Sequence, residues 1–296
     1  MISLPKPQWL ELTGTDAAAF AHAQFCNDVI GLADGHWQWN AWLSPQGRVR
    51  AFFHLLRDSH TRVRLLLRGG DAPALRAELA RFVFRARVAL RVQEDVTVAG
   101  SEDAAEVATR AGRLPQGFLL AQYGSIAALA LPGMPPRWLL CSDTADFTGA
   151  RSDNVDGLER WRLADIRAGL VTLDPVLSER LLPTWLNLDR LGAISVRKGC
   201  YPGQEIVARL YFKGGNKRTL YRVSLAGDAV PPAGTVLRAA ATSDEAGVIV
   251  MAAADVESGC IEALASLNDA MVDTPLCLES HPERSIHVAQ KFAAGE

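Results

Sequence analysis

The densest concentration of reactive side chains in the sequence is Arg197-Lys198-Gly199-Cys200-Tyr201-Pro202-Gly203-Gln204-Glu205, which sets a thiol, two cations, an amide and a carboxylate within nine residues. What such a group can do is thiol chemistry. The thiolate is the nucleophile and metal ligand, and neighbouring cations or a helix N-terminus favour it. Lys198 stands two residues from Cys200, and an apolar, helix-compatible run, Ile206 to Phe212, follows. Pro202 suits the first helical position, where its missing N–H costs nothing, and Glu205 then falls in the first turn, where a carboxylate meets the positive helix end. The pattern predicts Cys200 just ahead of a helix N-terminus, activated toward its thiolate form. A glycine-cornered turn around a buried, inert cysteine is the alternative.

The other candidate ligands do not cluster. Cys26, Cys141, Cys200, Cys260 and Cys277 are odd in number, widely spaced and contain no C-x-x-C pair, and the histidines form no H-x-x-x-H or E-x-x-H arrangement. Neither a disulfide framework nor a structural metal site is expected from such spacing. A chain of 296 residues is long enough for two or three domains, since single cores rarely grow past ~250–300 residues. No charge-free apolar run approaches the ~20 residues of a membrane span, and residues 1–30 lack the pattern of a secretory signal, so no membrane partner and a cytoplasmic address are expected. Charge is unevenly spread: residues 48–91 hold eleven arginines against three acidic residues, residues 191–222 hold seven Lys/Arg against Glu205, and residues 223–296 hold three basic against eleven acidic residues. This asymmetry points to an anion-facing middle and an acidic, separately folded tail, although the arginines of 48–91 would equally coat the outer face of a sheet.

The elements that must position the thiol can be read in order. Residues 8–14 form a short strand, Thr15 is the expected N-cap of a helix over 16–26, and Asn27-Asp28 follows in a position suited to a turn or a ligand contact. Trp37, Trp39 and Trp42 lie in a strand that ends at the turn candidate Ser44-Pro45-Gln46-Gly47. Alternation of Val49, Ala51, Phe53 and Leu55, and of Val63, Leu65 and Leu67, predicts two half-buried strands with a basic outer face. Asp71 with Pro73 opens a helix, Val88 to Val92 forms a strand, and residues 101–150 repeat the theme with a helix near 102–111 and three strands. A helix over 157–168 carries Trp161 and closes at Gly169; residues 171–187 read as a long connection, functional or mobile. After Arg222 short strands and Gly-, Pro- and Asp-rich turns predict a small all-β barrel.

Lys198-Gly199-Cys200-Tyr201-Pro202-Gly203-Gln204-Glu205 resembles the K-G-C-Y-x-G-Q-E signature of the YgfZ-type folate-binding proteins, relatives of the glycine-cleavage aminomethyltransferase, or T-protein. The likeness takes in Leu12-Thr13-Gly14-Thr15-Asp16-Ala17, Asn27-Asp28-Val29, Ser44 to Val49, Ile166-Arg167-Ala168-Gly169, Asn187-Leu188, Leu191 to Ser195 and Gly215-Asn216-Lys217-Arg218. The resemblance implies an α+β, GcvT-like fold: a three-domain ring with a discontinuous folate-binding domain (1–47 plus 151–222), an inserted α+β domain (48–150) and a C-terminal β-barrel (223–296). It implies tetrahydrofolate, or a one-carbon derivative, as cofactor. Trp9 and Trp161 match the folate-associated tryptophans, and Asn27 and Asp28 join them as expected folate contacts. A flat ring stacked on indole contributes about 0.5–1.5 kcal/mol beyond area burial. The functional set expected around Cys200 is Lys198, Tyr201, Gln204 and Glu205.

The departures from the T-protein pattern are equally informative. Ala51 and Phe52 occupy the region where T-proteins carry a catalytic aspartate, and neither side chain moves a proton. Arg167 stands where the T-protein shows a glutamate. The resemblance therefore implies an accessory protein that supports assembly or repair of iron–sulfur enzymes, and thereby tRNA modification, with Cys200 as functional thiol. The alternative is a folate-dependent aminomethyl- or methyltransferase. Partners implied are folate, iron–sulfur proteins or their assembly machinery, and tRNA through Lys213, Lys217 and Arg218, although those cations would also suit the glutamate tail of folate or plain solvation.

Overall fold

Alternating apolar residues dictate most of the secondary structure. The computed structural model describes residues 1–4, 7–144, 147, 155–227 and 229–292. Its contacts divide the chain into two compact units: Met1–Trp42, Ala51–Leu158 and Arg197–Tyr201 form one, and Leu43–Arg50, Glu159–Val196 and Pro202–Glu296 form the other.

In the first unit β1 (Ile2–Ser3), β7 (Thr97–Ser101), β8 (Ala121–Tyr123), β9 (Ile126–Leu131) and β10 (Arg137–Ser142) build one sheet in the order β1-β7-β10-β9-β8. Helix α3 (Ala104–Ala111) packs Val107 and Ala111 into the apolar core beside it, and the Asp103 carboxylate accepts from the N–H groups of Ala105 and Glu106. A second sheet orders β3 (His36–Leu43), β4 (Val49–Ser59), β5 (Arg62–Leu67), β2 (Trp9–Thr13) and β6 (Ala89–Val92) as β3-β4-β5-β2-β6. It therefore joins strands from both sides of the domain boundary expected at residues 47/48. The second expected boundary, at 150/151, lies outside the described residues. Helices α1 (Ala17–Gln24) and α2 (Ala72–Ala80) bury Ala17, Phe20, Ala21, Leu75 and Leu79 in the core of this sheet. Asp71 caps α2 through Ala74 N–H, a bond of the kind worth about 1 kcal/mol. At α1 the cap position is Asp16, not the expected Thr15, and it makes no side-chain capping bond.

The expected basic outer face of β4 and β5 is corrected by burial. Phe52, His54, Arg64 and Arg68 are all less than a tenth exposed. The ring of Trp39 stacks on Phe52 and lies 4.2 Å from that of His54, while Trp37 contacts Phe118 edge-on. Alternation reports that one face of a strand is buried; it is silent on whether another layer covers the second. Burial, then the charge of Arg68, holds the His54 imidazole well below its ordinary range, so it packs as a neutral ring.

In the second unit a closed barrel runs β11-β14-β13-β12-β15-β16, from β11 (Arg218–Ala226), β12 (Val236–Ala239), β13 (Glu245–Asp255), β14 (Cys260–Asn268), β15 (Leu276–Leu278) and β16 (His281–Phe292). The barrel thus opens at Arg218, five residues before the expected boundary. Its interior is filled by residues such as Val223, Leu237, Ile249, Ala263 and Leu276. Helix α4 (Val155–Arg167) ends before Gly169, whose φ of +67° takes the chain out of the helix as expected. The segment expected as a long connection is built: 3-10 turns at Pro175–Leu177 and Pro183–Leu186 bury Leu177, Pro183 and Leu186. Helix α5 (Gln204–Lys213) completes the set. No helix is long and apolar enough to cross a membrane among the described residues.

Candidate functional site

The signature around Cys200 passes from one unit to the other between Tyr201 and Pro202. Each part is held by different physics. In the first unit Lys198 is buried, and its Nζ donates to the backbone carbonyls of His22 and Phe25, the latter at 2.6 Å. These carbonyls belong to the last turn and C-cap of α1, where a helix leaves acceptors without partners and a cation meets the negative helix end. Lys198 is thus a helix cap from 173 to 176 residues away in sequence, a role that its nearness to Cys200 does not disclose.

Burial lowers the Lys198 ammonium to about 8, against the opposing pull of Cys26 and Asp28. Its Nζ also lies 5.0 Å from the centre of the Tyr201 ring. Tyr201 is 6% exposed, its hydroxyl has no hydrogen-bond partner among the described residues, and burial pushes its ionisation upward. Cys26, close by in sequence to Phe25, is fully buried; desolvation raises its thiol to about 12, which makes it the inert cysteine of the region. Cys200 is exposed, in contrast to the buried Cys26, Cys141 and Cys277.

In the second unit the approach of two backbones fixes the signature. Gly203 is the N-cap of α5 with φ +79°, and a Cβ built there would stand 2.5 Å from the Ser44 carbonyl oxygen and 2.8 Å from Gly47 Cα. Gly47 itself has φ +73°, its N–H donates to Ser44 O at 2.8 Å, and a Cβ on it would meet the Ile206 Cβ at 2.9 Å. The predicted turn Ser44-Pro45-Gln46-Gly47 and the start of α5 therefore interlock through two glycines that no other residue replaces without strain. The expected placement of Pro202 at the first helical position is corrected: Gln204 is the first residue of α5 and Pro202 precedes the cap. Gln204 is half-buried and Glu205 sits exposed in the first turn.

The four residues singled out for folate are placed as follows. Trp9 is 1% exposed in β2, with the Arg64 guanidinium 5.3 Å from its ring. Trp161 is 5% exposed in α4, in the other unit. Asn27 donates its side-chain N–H to Trp39 O at 2.9 Å, and Asp28 accepts from Gly31 N–H at 2.9 Å and pairs with His22 at 3.2 Å. Within their own units Trp9 and Trp161 are buried, and Asn27 and Asp28 are partly exposed. Arg167, the departure from the T-protein pattern, bonds Glu262 and Asp255 at 2.6 and 2.9 Å and is a structural tie between α4 and the barrel within the second unit. Ala51 and Phe52 are buried and bring no carboxylate to their place in β4.

Lys213 closes α5 and Lys217 follows four residues later, both exposed; Tyr211 and Phe212 on the last turn of α5 are 61% and 70% exposed with rings 5.1 Å apart. Arg218 is not part of that solvated group. It pairs with Glu245 at 2.8 Å, and its guanidinium sits 5.2 Å from the Trp185 ring. Trp185 escaped the sequence reading; the one signal for it was the unusual length of the 171–187 segment.

The architecture is that of the aminomethyltransferase fold. It is similar to glycine cleavage system aminomethyltransferase T from Bartonella henselae over 98% of this chain and 84% of that one, with a TM-score of 0.66; at 15% identity this establishes the fold alone. In sequence the chain is 30% identical over 224 residues to an uncharacterized protein of Haemophilus influenzae, covering 74% of this chain and 71% of the other. It is 30% identical over 240 residues to the tRNA-modifying protein YgfZ of Edwardsiella ictaluri (76% and 71% covered), and 28% identical over 233 residues to that of an Escherichia coli strain (75% and 71%). No family model matches. The chain belongs to the YgfZ family.

Proposed function

We propose that this protein is a cytoplasmic, folate-dependent accessory factor for tRNA modification, acting through iron–sulfur enzymes or their assembly machinery, with Cys200 as its functional thiol. The observation that carries this reading is the contrast among the cysteines. Cys200 is exposed on a segment anchored on one side by the buried Lys198 and followed on the other by the glycine-locked start of α5, whereas the neighbouring Cys26 is sealed away. One thiolate supplies one ligand, so any contact with an iron–sulfur cluster is shared with a client protein. Relatives named for tRNA modification support the same direction.

Tetrahydrofolate, or a one-carbon derivative, is the proposed cofactor, and Trp9, Trp161, Asn27 and Asp28 are its proposed contacts. For tRNA, the exposed Lys213 and Lys217 with Tyr211 and Phe212 offer cations and stacking faces. Arg218, committed to Glu245, is left out of that surface. The transferase alternative gains no support from Ala51 and Phe52, which cannot exchange protons.

The decisive test is tRNA modification measured in a strain lacking the gene and carrying either the wild type or Cys200→Ala. Loss of modification in the variant, with tetrahydrofolate affinity by calorimetry within about threefold of wild type, is expected. Full restoration by Cys200→Ala would remove the thiol from the function. Failure of the wild type to bind tetrahydrofolate would remove the cofactor.

A further inference from the structure

The second unit holds a cavity of about 240 Å³ in which three arginines, Arg48, Arg180 and Arg218, meet around Trp185, with Glu245 as the acidic lining residue. We infer that this cavity is a binding site for a compact, doubly charged oxyanion, either a phosphate or a short dicarboxylate.

The cations converge from distant parts of the chain: the turn before β4, the segment between the two 3-10 turns, and the first residue of β11. Two of them are held in place before any ligand arrives. The Arg48 guanidinium lies 4.8 Å from the centre of the Trp185 ring and its Nη1 donates to the Arg180 carbonyl at 2.7 Å. Arg218 lies 5.2 Å from the same ring and is tied to Glu245 at 2.8 Å. Arg180 is exposed and carries no ion pair among the described residues. One carboxylate faces three guanidinium groups, leaving an excess of positive charge.

Guanidinium groups keep their protons, so these positive charges persist. What answers them is an anion. Leu181, Val236 and Val248 complete the lining. Guanidinium forks match the paired oxygens of carboxylate and phosphate, and fixing the donors beforehand reduces the ordering cost of binding. A space of about 240 Å³ is enough for a phosphate or a five-carbon dicarboxylate.

The test is calorimetric titration of inorganic phosphate and, separately, glutarate into the full chain, as wild type, Arg180→Ala and Arg162→Ala. Arg180→Ala keeps the backbone carbonyl that holds Arg48 and removes no ion pair, so its melting temperature should match wild type. One-to-one binding of either probe, weakened at least about tenfold in Arg180→Ala and unchanged in Arg162→Ala, is expected, and the tighter probe names the source of the oxyanion. Binding of neither probe overturns the assignment. So does equal affinity in Arg180→Ala, or a loss in Arg162→Ala as large as that in Arg180→Ala, which would mark a diffuse charge effect.

Discussion

The two anchors of the signature, Lys198 in the first unit and Gly203 in the second, hold a single eight-residue motif by opposite means. Lys198 works through a side chain: a buried ammonium satisfies helix-end carbonyls and sits near a tyrosine ring, so its strength depends on protonation. Gly203 works by having no side chain, letting the Ser44–Gly47 turn approach to a distance a Cβ would forbid, so its strength is steric and indifferent to pH. The comparison teaches that residues adjacent in a motif need not share a purpose. Between these anchors Cys200 is exposed.

Substitutions at the two anchors should separate the electrostatic from the steric. The largest loss is expected for Gly203→Ala, which combines a left-handed backbone with a clash against backbone atoms: about 3 kcal/mol or more, with the same deficit at pH 7 and pH 10 by chemical denaturation. Lys198→Met should cost about 2 kcal/mol at pH 7 by orphaning buried carbonyls. Its deficit should grow with pH. The folded-state value of about 8 lies below the ordinary 10.5, so between these values the unfolded chain keeps a proton the folded chain has released. Through this group the wild type therefore gains stability as pH rises from about 8 toward 10.5, and the methionine variant does not. A deficit independent of pH would place the whole contribution of Lys198 in packing. Gly47→Ala should cost about 1–2 kcal/mol, less than Gly203→Ala, because its nearest obstacle is the side chain of Ile206. Cys200→Ala, exposed between the anchors, should leave the melting curve within about 0.5 kcal/mol of wild type; a larger loss would mean that the thiol is structural.

Much of the fold was legible because its causes are local. Alternation marked β4 and β5, recurring turn residues marked the barrel, Asp71 with Pro73 marked the start of α2, and Gly169 marked the end of α4. The candidate site was legible in its members and illegible in their tasks. Lys198 was expected beside the thiol, and it caps α1. Pro202 was expected inside α5, and it lies before the cap. Trp185 drew no notice, since nothing in its neighbours announces two arginines that approach from Arg48 and Arg218.

The sequence by itself determined the α+β class, the run of strands that makes the C-terminal barrel, the membership of the signature and its family. Each rests on periodicity, turn residues or a string of adjacent residues, all of which act over a few positions. Only the tertiary structure decided that the second face of β4 and β5 is buried, that Gly203 and Gly47 share one contact, that Arg218 answers to Glu245, and that three guanidinium groups face one cavity. These depend on contacts between residues far apart in the chain. A single sequence carries the identity of both partners without their distance, and that distance separates a solvated cation from a cap, a tie or a binding site.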